Sequence, residues 1–268
     1  MKTSGKKVHF LAEELQQPTN PIKIILIGAG GTGSFVLSGL ARLNEALTAH
    51  GHAGIDIDLW DGDLVTKNNI GRQLFAQSEI GLYKSVALIN RINRFFGTSW
   101  KAKSRNFPKV RAGVHQDDLL ASIYITCVDN IESRFDLAST LKNVNPFNNQ
   151  LNQPRYWFDF GNSKDSGQVI CSTIGTVEQP NSKKFTPVPN LPFVTEEFED
   201  LLRSSEEKDE APSCSLVDSL KKQSLFINST LANLGCDLLT TLLFEGVLME
   251  RGLLLNLKTR QCRPLPFT

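Results

Sequence analysis

No Cys-x-x-Cys pair occurs in this sequence, and its four histidines (9, 50, 52 and 115) do not gather near its five cysteines (127, 171, 214, 236 and 262). That excludes the common structural zinc frameworks and a disulfide scaffold. It fits a reducing compartment, so a cytoplasmic location is expected. No apolar run approaches the roughly eighteen residues of a membrane span. The first residues, Met1-Lys2-Thr3-Ser4-Gly5-Lys6-Lys7, carry charge but no apolar core behind it, so no secretory signal is expected. Neither sign of charge is in excess: 29 Lys and Arg stand against 28 Asp and Glu. A net charge of +1 supplies no basic field for nucleic acid. Internal repeats are also absent.

What is present begins at Ile22–Ile27, a short apolar run that meets Gly28-Ala29-Gly30-Gly31-Thr32-Gly33. An apolar segment of helical spacing follows over Phe35–Leu47. Strand, tight turn and helix in that order bring a nucleotide phosphate against a helix N-terminus. Gly28 permits the turn, Gly30 lets backbone approach phosphate, and Gly33 lets helix and strand pack closely. Gly31 leaves the loop unusually bare.

Further strands are expected at Ile55–Trp60, Ala121–Val128, Tyr156–Phe160, Gln168–Thr173 and Leu253–Lys258, with a helix at Lys84–Phe96. The β-α-β-α-β order of the first half predicts an α/β chain with a Rossmann-like, doubly wound sheet, parallel in its N-terminal half. At 268 residues the chain is read as a single domain. Residues 1–21 form an N-terminal extension, 179–213 a long Pro-rich acidic crossover loop, and 214–268 a C-terminal helix and strand. The crossover composition predicts one short helix near Thr195–Leu202. Ile227, Leu231, Leu234, Leu238 and Leu242 form a helical apolar stripe that could offer surface to a partner.

Asp61 ends the second strand, where an acid commonly bonds ribose hydroxyls; as a residue beside Gly62 it could also be a turn former. A dense polar run follows, with Asn69, Arg72 and then Lys84 at a helix start. Two cations close behind a phosphate-binding turn suit a triphosphate attacked at its α-phosphorus. Lys84 could equally be an ordinary surface residue opening a helix. Asp129, at the end of the third parallel strand, could hold Mg²⁺ or cap the helix that starts near Ile131. Cys127, Cys171 and Cys236 lie in apolar contexts and read as core. Tyr156-Trp157-Phe158 reads as a buried strand.

The series Gly-x-Gly-Gly-x-Gly, Asp61-x-Asp63-x-Val65, Asn69-x-x-Arg72-Gln73, Ile80-Gly81-x-x-Lys84 and Cys-x-Asp129-Asn130 resembles the ThiF/MoeB superfamily, which includes the ubiquitin-activating enzymes. More narrowly it looks like the ThiF-like proteins of bacterial PRTRC systems, through Gly-Arg-Gln-Leu-Phe at 71–75 and Ala211-Pro212-Ser213-Cys214. The resemblance implies binding of MgATP and adenylation of the C-terminal carboxylate of a small β-grasp, ubiquitin-like or sulfur-carrier protein. By position, Gly28, Gly30, Gly31 and Gly33 form the phosphate loop. Asp61 holds the ribose, Asn69, Arg72 and Lys84 contact phosphates, and Asp129 holds the metal. Cys214 matches a cysteine that accepts the acyl group as a thioester or enters sulfur transfer. A homodimer is implied as well. Two features depart from many relatives: paired zinc cysteines are missing, and no arginine precedes Arg42. Rival readings are adenylation of a carboxylate on tRNA or a peptide, a nicotinamide-dependent oxidoreductase, and a non-catalytic nucleotide-binding subunit.

Overall fold

The computed structural model describes residues 5–108, 119–143, 152–206 and 223–267. In chain order the elements are β1 (Lys6–Phe10), β2 (Ile22–Ile27), α1 (Gly31–Ala49), β3 (Ile55–Trp60), α2 (Lys84–Phe96) and β4 (Lys101–Lys103). Then come β5 (Ile123–Thr126), α3 (Ile131–Asn143), β6 (Tyr156–Asn162), β7 (Ser166–Thr173), β8 (Phe185–Pro187), α4 (Val194–Glu197) and α5 (Glu199–Glu206). The last are α6 (Ile227–Glu245), β9 (Val247–Leu248), β10 (Gly252–Asn256) and β11 (Gln261–Leu265).

Among the described residues one sheet has the order β11-β10-β7-β6-β5-β2-β3-β4. The pairs β6-β5, β5-β2, β2-β3 and β3-β4 are parallel, and β6-β7, β7-β10 and β10-β11 are antiparallel. The parallel half is the one the β-α-β order predicts. Its central strands β2, β5 and β6 are mostly apolar because both faces are covered. The two-residue period of β2 shows this directly. Ile22, Ile24 and Leu26 join the core with Leu37 and Leu40 of α1, while Ile25 and Ile27 join the one with Trp157 and Leu137. Tyr156, Trp157 and Phe158 are buried, as expected of them.

The chain runs from β2 outward through β3 to β4, then returns to β5 on the other side of β2. This reversal opens a crevice beyond the C-terminal ends of β2 and β5, which is where ligands bind in open α/β sheets. Both the glycine loop and the Cys127–Asn130 segment emerge there.

Four differences from the sequence reading have physical causes. Residues 6–10, within the segment read as an extension, form β1, which pairs in parallel with β8 and antiparallel with β9 in a small second sheet. Its short length and mixed polarity gave no periodic signal. The crossover carries two short helices, α4 and α5, where one was expected. The C-terminal part adds β9 and β11 to the helix and strand expected of it. The apolar stripe of α6 is not a partner surface. Ile227, Leu231, Leu238 and Leu242 are buried within the chain, in the core that includes Leu37 and Leu40 of α1 and Phe160 and Val169 of the sheet. Gly39 of α1 and Gly235 of α6 permit this fit, since a Cβ at either would meet Cys236 Sγ or Phe160 at under 3 Å.

Candidate active site

A cleft of about 500 Å³ occupies the crevice, a volume ordinary for a ligand site. Gly28, Gly30, Gly31, Asp61, Arg72, Lys84 and Asp129 all line it. Gly28 and Asp129, 101 positions apart in sequence, meet at this cavity because β2 and β5 are neighbours in the sheet.

The glycines divide their tasks. Gly28 has φ +94°, and a Cβ there would lie 2.7 Å from the Cys127 carbonyl oxygen. Glycine relieves both the backbone conformation and the contact. A Cβ on Gly33 would lie 1.9 Å from the Gly28 carbonyl oxygen, so this position serves helix–strand packing, away from the cleft lining. Gly30 faces open space, with nothing within 4 Å of a Cβ. At Gly31 the room is already taken, because a Cβ would lie 2.6 Å from Asn228 Nδ2. The bareness of Gly31 accommodates a side chain from α6.

Asp61 ties the second strand to the loop. Its Oδ2 accepts the Ala29 N–H at 2.7 Å and its Oδ1 accepts the Asp63 N–H at 2.9 Å. Burial pushes its carboxyl above the usual range, against the lowering effect of those two N–H groups and of the Lys84 charge. Lys84 is buried, and its Nζ donates to Asp63 Oδ2 at 2.8 Å. Backbone reinforces this, the Lys84 N–H donating to the Asp63 carbonyl at 2.9 Å. A residue read as a possible surface lysine is thus held at the cleft by a specific partner.

Asn69 does not line the cleft. Its Oδ1 accepts from the Thr66 N–H at 2.7 Å and from Thr66 Oγ1 at 3.0 Å, capping the short 3-10 turn Lys67–Asn69 that leads into Arg72. Arg72 Nη1 donates to Gln223 Oε1 at 3.4 Å. Arg72 Nε and Trp60 Nε1 are buried, with no partner among the described residues. Unpaired buried donors are costly, and both residues belong to the cleft lining.

Asp129 is exposed at the mouth. The cap of α3 is Asn130, whose Oδ1 accepts the Ser133 N–H at 2.7 Å, so the Asp129 carboxylate is not committed to the helix terminus. Its backbone is set from behind by Arg134, whose Nη2 donates to the Val128 carbonyl at 2.8 Å and the Phe160 carbonyl at 3.1 Å. Cys214 lies outside the described residues. Cys127 differs from its reading as core: it is half-buried and lines the cleft, with burial pushing its thiol well up. Cys171 and Cys236 are buried as expected.

Sequence reading missed Asn106, Phe107, Asn162, Gln223 and Asn228, which also line the cleft. Phe107 stands edge-on to Trp60 at 5.3 Å, and the Arg105 guanidinium lies 5.1 Å from the Trp60 ring. Trp60 and Phe107 thus put two aromatic rings on the cleft lining. The only available signal was the polar break Ser104-Arg105-Asn106 after β4, which resembles any surface loop. Asn228 had a better one, a lone amide in the first turn of an apolar helix.

A family model described as the ThiF family matches residues 5–216. No curated protein sequence matches the chain. Among solved structures, PaaA is similar with a TM-score of 0.59 at 15% identity, covering 92% of this chain and 64% of its own. MccB of E. coli is similar with a TM-score of 0.56 at 14% identity, covering 95% and 64%. MccB has been solved with ATP and with MccA. Likeness at such identity is one of fold, and the chain spans just under two thirds of the length of these structures.

Proposed function

Because the chain belongs to the ThiF family, we propose that it is an adenylyltransferase that activates the C-terminal carboxylate of a small β-grasp, ubiquitin-like or sulfur-carrier protein with ATP. One observation carries this reading: Arg72 and Lys84 share the glycine-loop cleft with Asp61 and Asp129. A nicotinamide site would use the glycines and Asp61 and leave the other three without a task.

In this reading the α1 N-terminus and the backbone at Gly28–Gly31 receive the triphosphate. Asp61 accepts from the ribose, and the base lies against Trp60 and Phe107. The buried Arg72 Nε, without a partner among the described residues, is a donor that a phosphate oxygen would satisfy. The substrate carboxylate oxygen attacks the α-phosphorus. The bond from that phosphorus to the bridging oxygen breaks, and pyrophosphate departs with the electron pair. Arg72 and Lys84 offset charge that develops at the phosphorus and leaving group. Four carboxylates (Asp61, Asp63, Asp129 and Asp136) line the cleft against these two cations. A bare triphosphate would be repelled by that balance, so a divalent cation would accompany it, held mainly by phosphate oxygens. Asp129 would hold Mg²⁺, which would supply charge neutralisation when bound.

A thioester step follows in the proposal, with Cys214 attacking the acyl carbon and AMP leaving. Cys127, Cys171 and Cys236 are poor substitutes, since burial pushes each thiol up, that of Cys236 to about 12. A thiol-sensitive adduct with the cognate small protein, seen in wild type and missing in Cys214→Ser with adenylation retained, tests this step. A homodimer is proposed on family grounds alone, and light scattering at micromolar concentration tests it.

A second reading, adenylation of a carboxylate on another kind of partner, is favoured by the likeness to MccB, which has been solved with MccA. Both readings predict tighter binding of MgATP than of NAD. Calorimetric titration with the two ligands tests them against the oxidoreductase alternative, and tighter NAD binding would overturn both.

A further inference from the structure

Asn228, in the first turn of α6, is 2% exposed. Buried amides need partners, and this one bridges three parts of the cleft wall. Its Oδ1 accepts from Thr32 Oγ1 of α1 at 2.9 Å and from Asn162 Nδ2 at the end of β6 at 3.0 Å. Its Nδ2 donates to Gln223 Oε1 at 3.0 Å. Gln223 Oε1 also receives Arg72 Nη1, at 3.4 Å.

Arginine fixes the polarity of this chain. A guanidinium can only donate, so the Gln223 atom facing Arg72 is the oxygen. That oxygen then requires a donor from Asn228, which sets Nδ2 toward Gln223 and Oδ1 toward Thr32 and Asn162. Every amide orientation in the relay follows from Arg72, with no choice left to be made elsewhere. The same Asn228 Nδ2 sits where a Cβ on residue 31 would be. The glycine at 31 therefore allows the relay to rest directly on the phosphate loop.

We infer that Gln223 and Asn228 are positioning residues for Arg72. They hold one edge of its guanidinium in the cleft and couple that placement to the glycine loop through Thr32. The inference rests on the adenylation reading, in which Arg72 meets the triphosphate. Packing alone would explain a buried Asn228, yet it would not explain a polar chain that leaves the helix and ends on a cleft cation. Neither Gln223 nor Asn228 needs to touch the nucleotide to act in this way.

A double-mutant cycle read by MgATP titration of the full chain tests the relay. Gln223→Ala is expected to weaken MgATP binding about tenfold, the scale of one hydrogen bond to a charged group. Arg72→Ala is expected to weaken it about a hundredfold. The double variant should bind no more weakly than Arg72→Ala, because Gln223 acts only through Arg72. Multiplicative losses in the double variant, or wild-type affinity in Gln223→Ala, would overturn the inference. Asn228→Ala, followed by both urea unfolding and titration, should lose affinity as Gln223→Ala does. Lost stability with unchanged affinity would assign it to packing and also overturn the proposal. Failure of wild type to bind MgATP would instead strike the adenylation reading, so the two failures are told apart by the wild-type arm.

Discussion

Arg134 Nε lies 2.9 Å from Asp159 Oδ1, and both side chains are buried, at 6% and 1% exposure. Thr126 Oγ1 donates to the same carboxylate at 2.7 Å and accepts from Trp157 Nε1 at 2.8 Å. Arg134 Nη2 donates to the carbonyls of Val128 and Phe160. A buried pair of this kind contributes little over an apolar replacement, but breaking it leaves an uncompensated charge. Through the Val128 carbonyl, one residue before Asp129, the pair connects core polarity to the mouth of the cleft. Arg134→Ala is expected to cost about 3–5 kcal/mol in urea unfolding. A loss under about 1 kcal/mol would mean the pair is not isolated from water as its burial indicates.

Two glycines three residues apart should behave oppositely. Gly33→Ala places a Cβ 1.9 Å from the Gly28 carbonyl oxygen, so backbone must shift, at a cost of at least about 1–3 kcal/mol. Gly30→Ala meets nothing within 4 Å, and its stability should stay within about 0.5 kcal/mol of wild type. MgATP titration should nevertheless find Gly30→Ala impaired, since the added methyl stands where backbone meets phosphate. Equal stability losses at the two positions would contradict the division of roles.

His9 supplies a pH dependence remote from the cleft. Its Nδ1 lies 2.6 Å from the Val188 carbonyl and its Nε2 3.1 Å from Tyr156 Oη, which itself receives the Ala12 N–H at 2.9 Å. The neutral tautomer with hydrogen on Nδ1 satisfies every group. Burial pushes the His9 pKa below its usual 6.5 despite the Val188 bond. A lowered folded value means the unfolded chain takes up the proton first. His9 therefore contributes stability that is present above about pH 6.5 and lost as pH falls through its folded value, with a slope of at most about 1.4 kcal/mol per pH unit. Urea unfolding between pH 7.5 and 5 should show this slope, and His9→Gln should flatten it. An unchanged profile in His9→Gln would assign the slope to other groups.

Much of the frame was legible because it depends on local pattern. Ile22–Ile27 and Lys84–Phe96 have the bounds their periodicity implies. The order of glycine loop, Asp61, Arg72, Lys84 and Asp129 was enough to gather them at one crevice, since parallel β-α-β winding leaves few topologies. What was not legible depends on contacts between distant segments. β1 exists through pairing with β8 and β9, more than 170 positions away in the case of β8. That Asn69 gives its Oδ1 to Thr66 and stands off the cleft lining depends on the turn's geometry, which residue type alone does not reveal. Beside Gly31 the space is filled by Asn228, a side chain from far along the chain that no local pattern announces. The α6 stripe looked like an interface because a sequence does not say which apolar faces its own sheet will cover.

Exchange of labelled pyrophosphate into ATP tests the central claim most directly, because only a reversible attack on the α-phosphorus produces it. The protein is incubated with MgATP, labelled pyrophosphate and small glycine-terminated β-grasp proteins taken from neighbouring genes. Label is expected in ATP only when the cognate small protein is present, with the rate falling about 10²–10³-fold in Arg72→Ala and Asp129→Ala. Exchange at the wild-type rate in either variant, or no exchange with any such protein while MgATP is bound, would contradict the account.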